Sequence, residues 1–196
     1  MAYTTIDNPE LYFQTKLYTG NNTDGNAITL DGDENLQPDF LWIKDRTNAN
    51  SHRIYDSVRG VNAALISNST AAEDQYADFG QLESFDSDGF TVGAGNTNGN
   101  GTNQASANHA AWCWKESATA GFDIVSYAGN GAEGRDISHS LSAVPHVMIV
   151  KNRTNAVKWA VYHHKNTAAP ETDHLVLDTT AATSDDDSTW DDTAPT

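Results

Sequence analysis

Glu83, Asp86 and Asp88 are the first residues whose type and spacing could do chemistry. Two carboxyls about 5–5.5 Å apart can cleave a glycosidic bond, one as acid and one as nucleophile. Here the Asp86-Ser-Asp-Gly89 portion reads as a turn, with Gly89 at positive φ closing a hairpin, so the acids do not line up on one strand face. No catalytic residue is assigned on this ground. Asp86 and Asp88 are also the nearest approach to a metal site, as calcium ligands, but two carboxylates fall far short of the roughly six to eight oxygens calcium takes. Asp31-Gly-Asp-Glu-Asn35 reads as a second acidic turn, and Asp185–Asp187 lacks the glycine a calcium loop needs. No cofactor is expected.

The seven histidines include no His-Glu-x-x-His pattern, and in a strand His163 and His164 would face opposite ways. Cys113, the single cysteine, sits in Ala-Ala-Trp-Cys-Trp-Lys and reads as a buried thiol rather than a nucleophile. Trp112 and Trp114 share one strand face; they form either a sandwich core or a platform on which a sugar ring stacks. The low-complexity stretch 94–108, rich in Asn and Gly, reads as a solvent-facing, mobile hairpin tip between strands Gly89–Val92 and Ala110–Lys115. Its Asn98, Asn100 and Asn103 join the two tryptophans as candidate ligand-binding residues.

The elements that must position these groups are short. β-branched and aromatic segments alternate with turn signals, and helical periodicity is scarce, which predicts an all-β antiparallel sandwich. The expected strands are 15–19, 27–30, 40–45, 53–58, 64–67, 89–92, 110–115, 122–127, 147–152, 159–163 and 175–177. Within 196 residues, 11 Lys+Arg face 27 Asp+Glu, a net charge of -16 that would repel DNA and so argues against a nucleic-acid partner. The segment 171–196 holds eight of the acids and no Lys or Arg, a solvated acidic end. No apolar run approaches the roughly 18–20 residues of a membrane span, so no membrane insertion is expected. The start of the chain has neither the basic nor the apolar region of a Sec-type signal.

The sequence also repeats itself. Pro38-Asp-Phe-Leu-Trp-Ile-Lys-Asp-Arg-Thr-Asn-Ala49 aligns with Pro145-His-Val-Met-Ile-Val-Lys-Asn-Arg-Thr-Asn-Ala156, six of twelve positions being identical. Phe13, Tyr18, Gly20 and Asn21 match Phe122, Tyr127, Gly129 and Asn130; Tyr55 matches Tyr162, and Thr70-Ala71-Ala72 matches Thr180-Ala181-Ala182. The offset stays between 107 and 110. The expected division is a first copy over 1–118 and an incomplete second copy over 119–196, standing apart or packed with the first as one sandwich. The second copy has no counterpart of the strands at 89–92 and 110–115, so either a continuing chain or a neighbour is expected to supply them. Lys44 and Arg46, with repeat partners Lys151 and Arg153, are expected at strand ends, holding acidic loops.

Lys16-Leu-Tyr-Thr-Gly-Asn21, Pro38-Asp-Phe-Leu-Trp-Ile-Lys44, Tyr55-Asp-Ser-Val-Arg-Gly60 and Ser84-Phe-Asp-Ser-Asp-Gly-Phe90 resemble a repeat in virion proteins of marine tailed bacteriophages. Ala111-Trp-Cys-Trp-Lys115, Ile124-Val-Ser-Tyr-Ala-Gly-Asn130 and Trp190-Asp-Asp-Thr-Ala-Pro195 extend the resemblance over nearly the whole chain. It implies a jelly-roll, concanavalin-like sandwich in a tail-fibre or minor structural protein on the virion exterior. Its partners would be other virion proteins, further copies of itself (a trimer by analogy with tail fibres) and a host-surface glycan. Hydrolases of that fold carry acids at Glu-x-Asp-x-x-Glu spacing; Glu83, Asp86 and Asp88 depart from it, so a non-enzymatic role is expected. The rival readings are a capsid decoration or tail accessory protein, and a carbohydrate-binding or depolymerase module.

Overall fold

Alternating apolar and polar positions drive twelve short strands, described in a computed structural model over residues 6–96, 101–186 and 188–196. The strands are β1 (Phe13–Thr19), β2 (Asn26–Ile28), β3 (Phe40–Asp45), β4 (Arg53–Asp56), β5 (Leu65–Ile66) and β6 (Leu82–Asp86). They continue with β7 (Gly89–Val92), β8 (Asn108–Trp114), β9 (Val147–Val150), β10 (Ala160–His163), β11 (Asp173–Val176) and β12 (Ser184–Asp185). Three 3-10 turns complete the regular structure. Every pairing between them is antiparallel.

A five-stranded sheet of order β1-β8-β3-β4-β5 packs against a three-stranded sheet of order β2-β7-β6. The chain is thus an all-β sandwich. Strand period two puts Tyr18, Leu41, Ile43, Tyr55, Ala111 and Cys113 on the inner face of the large sheet. They meet Ile28, Leu82, Phe90 and Val92 from the small one. At about 25 cal/mol per Å² of apolar surface buried, this cluster is the main source of stability.

A third sheet, β12-β11-β10-β9, is built from the second copy. The duplication is literal at the level of register. Phe40 pairs with Asp56, Leu41 with Tyr55, Trp42 with Ile54 and Ile43 with Arg53. Moving each by 107 gives the observed pairs of Val147 with His163, Met148 with Tyr162, Ile149 with Val161 and Val150 with Ala160. The next pairing repeats at offsets of 107 and 110: Arg53 with Ile66 and Ile54 with Leu65 become Ala160 with Val176 and Val161 with Leu175. The turns match too. The Asp45 carboxylate accepts from the backbone N–H of Thr47 and Asn48, and the Asn152 amide oxygen accepts from those of Thr154 and Asn155. Lys44 donates to the Asn50 carbonyl, and Lys151 to the equivalent Val157 carbonyl.

Three expectations are corrected. Residues 122–127 form no strand: in the first copy the matching β1 pairs only with β8, and among the described residues the second copy offers no such partner. The stretch 94–108 is not a hairpin tip, because β7 and β8 lie in different sheets and the connection crosses between them. Thr102 and Asn103 within it are fully buried. Leu82–Asp86, which lies outside the expected strands, is strand β6, with a register shift between Leu82 and Ser84, and the turn expected at Asp86–Gly89 follows it.

Candidate functional site

The two copies meet on the outer face of the large sheet. Trp159 packs with Ile54, Leu65, Phe40, Trp42 and Leu177. Its indole N–H donates to the carbonyls of Ile66 and Ser69, 3.0 and 3.1 Å away. Beside it, Glu73 is clamped between two arginines. Arg59 Nη1 lies 2.8 Å from one carboxylate oxygen, and Arg153 of the second copy contributes Nε at 2.8 Å and Nη2 at 2.7 Å. Arg59 also reaches Asp56 at 2.5 Å and the Ala63 carbonyl at 2.6 Å. Burial pushes the Glu73 carboxyl up, but hydrogen bonds and charge from Arg153 and Arg59 outweigh it and hold the group below the usual glutamate range. Of the four basic residues expected at strand ends, then, only Arg153 holds an acid; Lys44 and Lys151 hold backbone carbonyls, and the Arg46 backbone N–H donates to Asn108.

One edge of the second copy is bare. The edge of β3 carries β8, with Phe40 opposite Trp114 and Trp42 opposite Trp112. The corresponding edge of β9 has no strand partner among the described residues. Val147 and Ile149, the counterparts of Phe40 and Trp42, are 50% and 49% exposed. Val125, Tyr127 and Val144 add exposed apolar surface in the same copy.

The sequence candidates fall in different places. Trp112 and Trp114 sit half-buried on the outer face of the large sheet, not in the inner core. Trp112 meets Trp42 edge-on at 6.4 Å, and Trp114 lies among Phe13, Phe40 and Phe122 at 4.8, 5.4 and 6.2 Å. Asn103 is fully buried with its amide saturated. It donates to the carbonyls of Thr23 and Gly93 and accepts from the Asn21 N–H and the Asn26 amide. That side chain holds the crossover in place and has no capacity left for a ligand. Asn98 and Asn100 lie outside the described residues.

Asp86 accepts from the hydroxyls of Ser84 and Thr91, and Asp88 accepts from the Leu36 N–H. Both serve the β6–β7 hairpin, where Gly89 has φ of +107° as its sequence predicts. The His146 and His164 rings stack at 3.9 Å, with His163 at 5.4 Å from His164. Among the described residues no group of three or more His, Cys, Asp or Glu could hold a metal ion. Cys113 is fully buried, and burial pushes its thiol up to about 12.

One cleft went unnoticed in the sequence. It measures about 340 Å³ and is lined by Asn50, Ser51, Arg53, Ile66, Ser69, Ala71, Tyr76 and Phe79. Arg53 is the inner-face residue at the end of β4, and its counterpart in the second copy is Ala160. A charged residue followed by buried Ile54 and Tyr55 is the available signal; the aromatic rings that hold it, Tyr76 and Phe79, lie more than twenty residues away in sequence.

A family model described as a domain of unknown function (DUF7483) matches residues 8–196. No curated protein and no solved structure matches.

Proposed function

We propose, for a chain that belongs to the family described as a domain of unknown function (DUF7483), that it is a non-enzymatic architectural module on the exterior of a phage particle, most simply part of a tail fibre. The sequence resemblance to virion repeats supplies the setting. The observation that carries the mechanism is the bare β9 edge. Its register with β10 reproduces that of β3 with β4, and β3 shows what such an edge takes: a strand. Unpaired N–H and C=O groups beside half-exposed Val147 and Ile149 are a template for pairing with another chain. The occupant is a second copy of this chain, so the module assembles through sheet edges while its first sandwich stays closed.

Light scattering across a concentration series tests the assembly step. The wild-type chain associates, and Ile149→Lys, which places a charge on the edge without touching the first core, shifts it to monomer. A wild-type protein that stays monomeric at high micromolar concentration refutes edge assembly. Proteomics of purified phage particles tests the setting, and absence of the chain from them refutes it.

A further inference from the structure

We propose that the Arg53 cleft binds a sugar-sized carboxylate of the uronic-acid class. This rests on observations separate from the β9 edge. Arg53 is only 6% exposed, and none of the described residues accepts a hydrogen bond from its guanidinium; Nε and Nη1 are buried without partners. A buried guanidinium left unpaired is costly, so an ion that supplies acceptors gains from a penalty already incurred in folding. The group is also held in one orientation. Its carbon lies 4.1 Å from the centre of the Tyr76 ring and 5.8 Å from that of Phe79. On the backbone side Gly101 closes in; a Cβ there would stand 2.9 Å from Arg53 Nε and 2.9 Å from the Phe79 carbonyl. Tyr76 takes a left-handed φ of +52° to bring its ring over the cation. Non-glycine residues hold such a conformation only where the surroundings impose it.

The chemistry of the wall selects the ligand. A planar fork of N–H donors matches a carboxylate in two-point contact. The exposed Phe79 offers an apolar face for a ring, and Ser51 and Ser69 bring hydroxyl-bearing side chains to the same wall. Asp74 faces the guanidinium at longer range, and Asp78 stands beside Phe79. These acids disfavour a multiply charged phosphate and favour a monoanion. The volume admits one sugar ring rather than a chain buried end to end.

The test is an amide-resolved NMR titration of the full chain with D-glucuronate, D-glucose and inorganic phosphate in parallel. Glucuronate at millimolar concentration gives saturable shifts at Ser51, Arg53, Tyr76 and Phe79, and glucose and phosphate bind at least roughly tenfold more weakly. Phe79→Ala, an exposed position that leaves the core intact, weakens glucuronate binding, and Arg53→Lys weakens it further by losing the fork. If Arg53→Lys does not fold, the Phe79 variant still decides. No saturable shift with glucuronate, equal binding of glucose, equal binding of phosphate, or unchanged affinity in Phe79→Ala each overturns the assignment.

Discussion

Replacing Glu73 by Gln weakens the joint between the two copies of the repeat while leaving both cores untouched. Gln keeps the shape and removes the charge that Arg59 and Arg153 share. The two arms differ in exposure. The Glu73 and Arg59 side chains are 17% and 5% exposed, so their charge-assisted bond contributes about 2 kcal/mol. Arg153 is 41% exposed, and solvent screening holds its arm to about 1 kcal/mol or less. Glu73→Gln therefore costs about 3 kcal/mol, and Arg153→Met alone about 1 kcal/mol. In a double-mutant cycle Arg153→Met costs almost nothing once Glu73→Gln is made, while Glu73→Gln after Arg153→Met still costs the Arg59 arm, about 2 kcal/mol. Urea unfolding followed by tryptophan fluorescence measures all three, because Trp159 lies in the same joint.

The pH dependence follows from the same site. The native Glu73 carboxyl is held below its ordinary value, so the unfolded chain binds the proton more readily. Its contribution is present above the usual glutamate range and is lost as pH falls through the depressed native value. The Gln variant should thus lose less stability than wild type on acidification below about pH 4.5. A Glu73→Gln cost under about 0.5 kcal/mol, or strictly additive variants, would refute the clamp.

Asn103→Ala orphans the Asn21 N–H and the carbonyls of Thr23 and Gly93; a loss of about 3 kcal/mol or more is expected by thermal or urea unfolding, and a near-neutral result would leave room for a ligand-binding role instead. Gly89→Ala puts a Cβ 2.0 Å from the Ile28 carbonyl at φ of +107°, so it should cost at least about 2 kcal/mol, with amide exchange rising first in β6 and β7. Cys113 should not react with a thiol reagent at pH 8 in the native protein and should react fully in urea, since burial both hides the thiol and holds it protonated; rapid native labelling would contradict the packing around it.

Much of the fold is legible in the residues because strand pairing is written locally. The repeat at offset 107 predicts a common hairpin, and β3 and β9 carry it in the same register. Phe40–Asp45 and Gly89–Val92 begin and end where their sequence says, bounded by turn-forming residues. The failures share a cause, which is that a strand needs a partner that local sequence does not name. Phe122–Tyr127 has strand-like residues and, among the described residues, no strand to pair with, whereas Leu82–Asp86 lies outside the expected strands and pairs with β7. The 94–108 crossover escaped because Asn103 makes its bonds to positions about eighty residues earlier in the chain as well as to Gly93. Arg53 escaped for the same reason: Tyr76, Phe79 and Gly101 reach it only after folding.

The bare β9 edge also bears on the order in which the chain is made. β8 has two possible hosts of matching register, β3 and β9, and only β3 receives it. Between Trp114 and Val147 lie about 33 residues, roughly 2–7 s of synthesis at typical rates. Non-local strand pairing takes milliseconds to seconds, within the time of synthesis, so β8 can meet β3 while β9 does not yet exist. Its second neighbour, β1, has by then waited since the start of the chain, with Phe13 paired to Trp114. Synthesis from the N-terminus thereby gives β3 first access to β8. A circular permutant that places the second copy first removes that advantage, and misregistered β8–β9 pairing becomes its characteristic error on refolding.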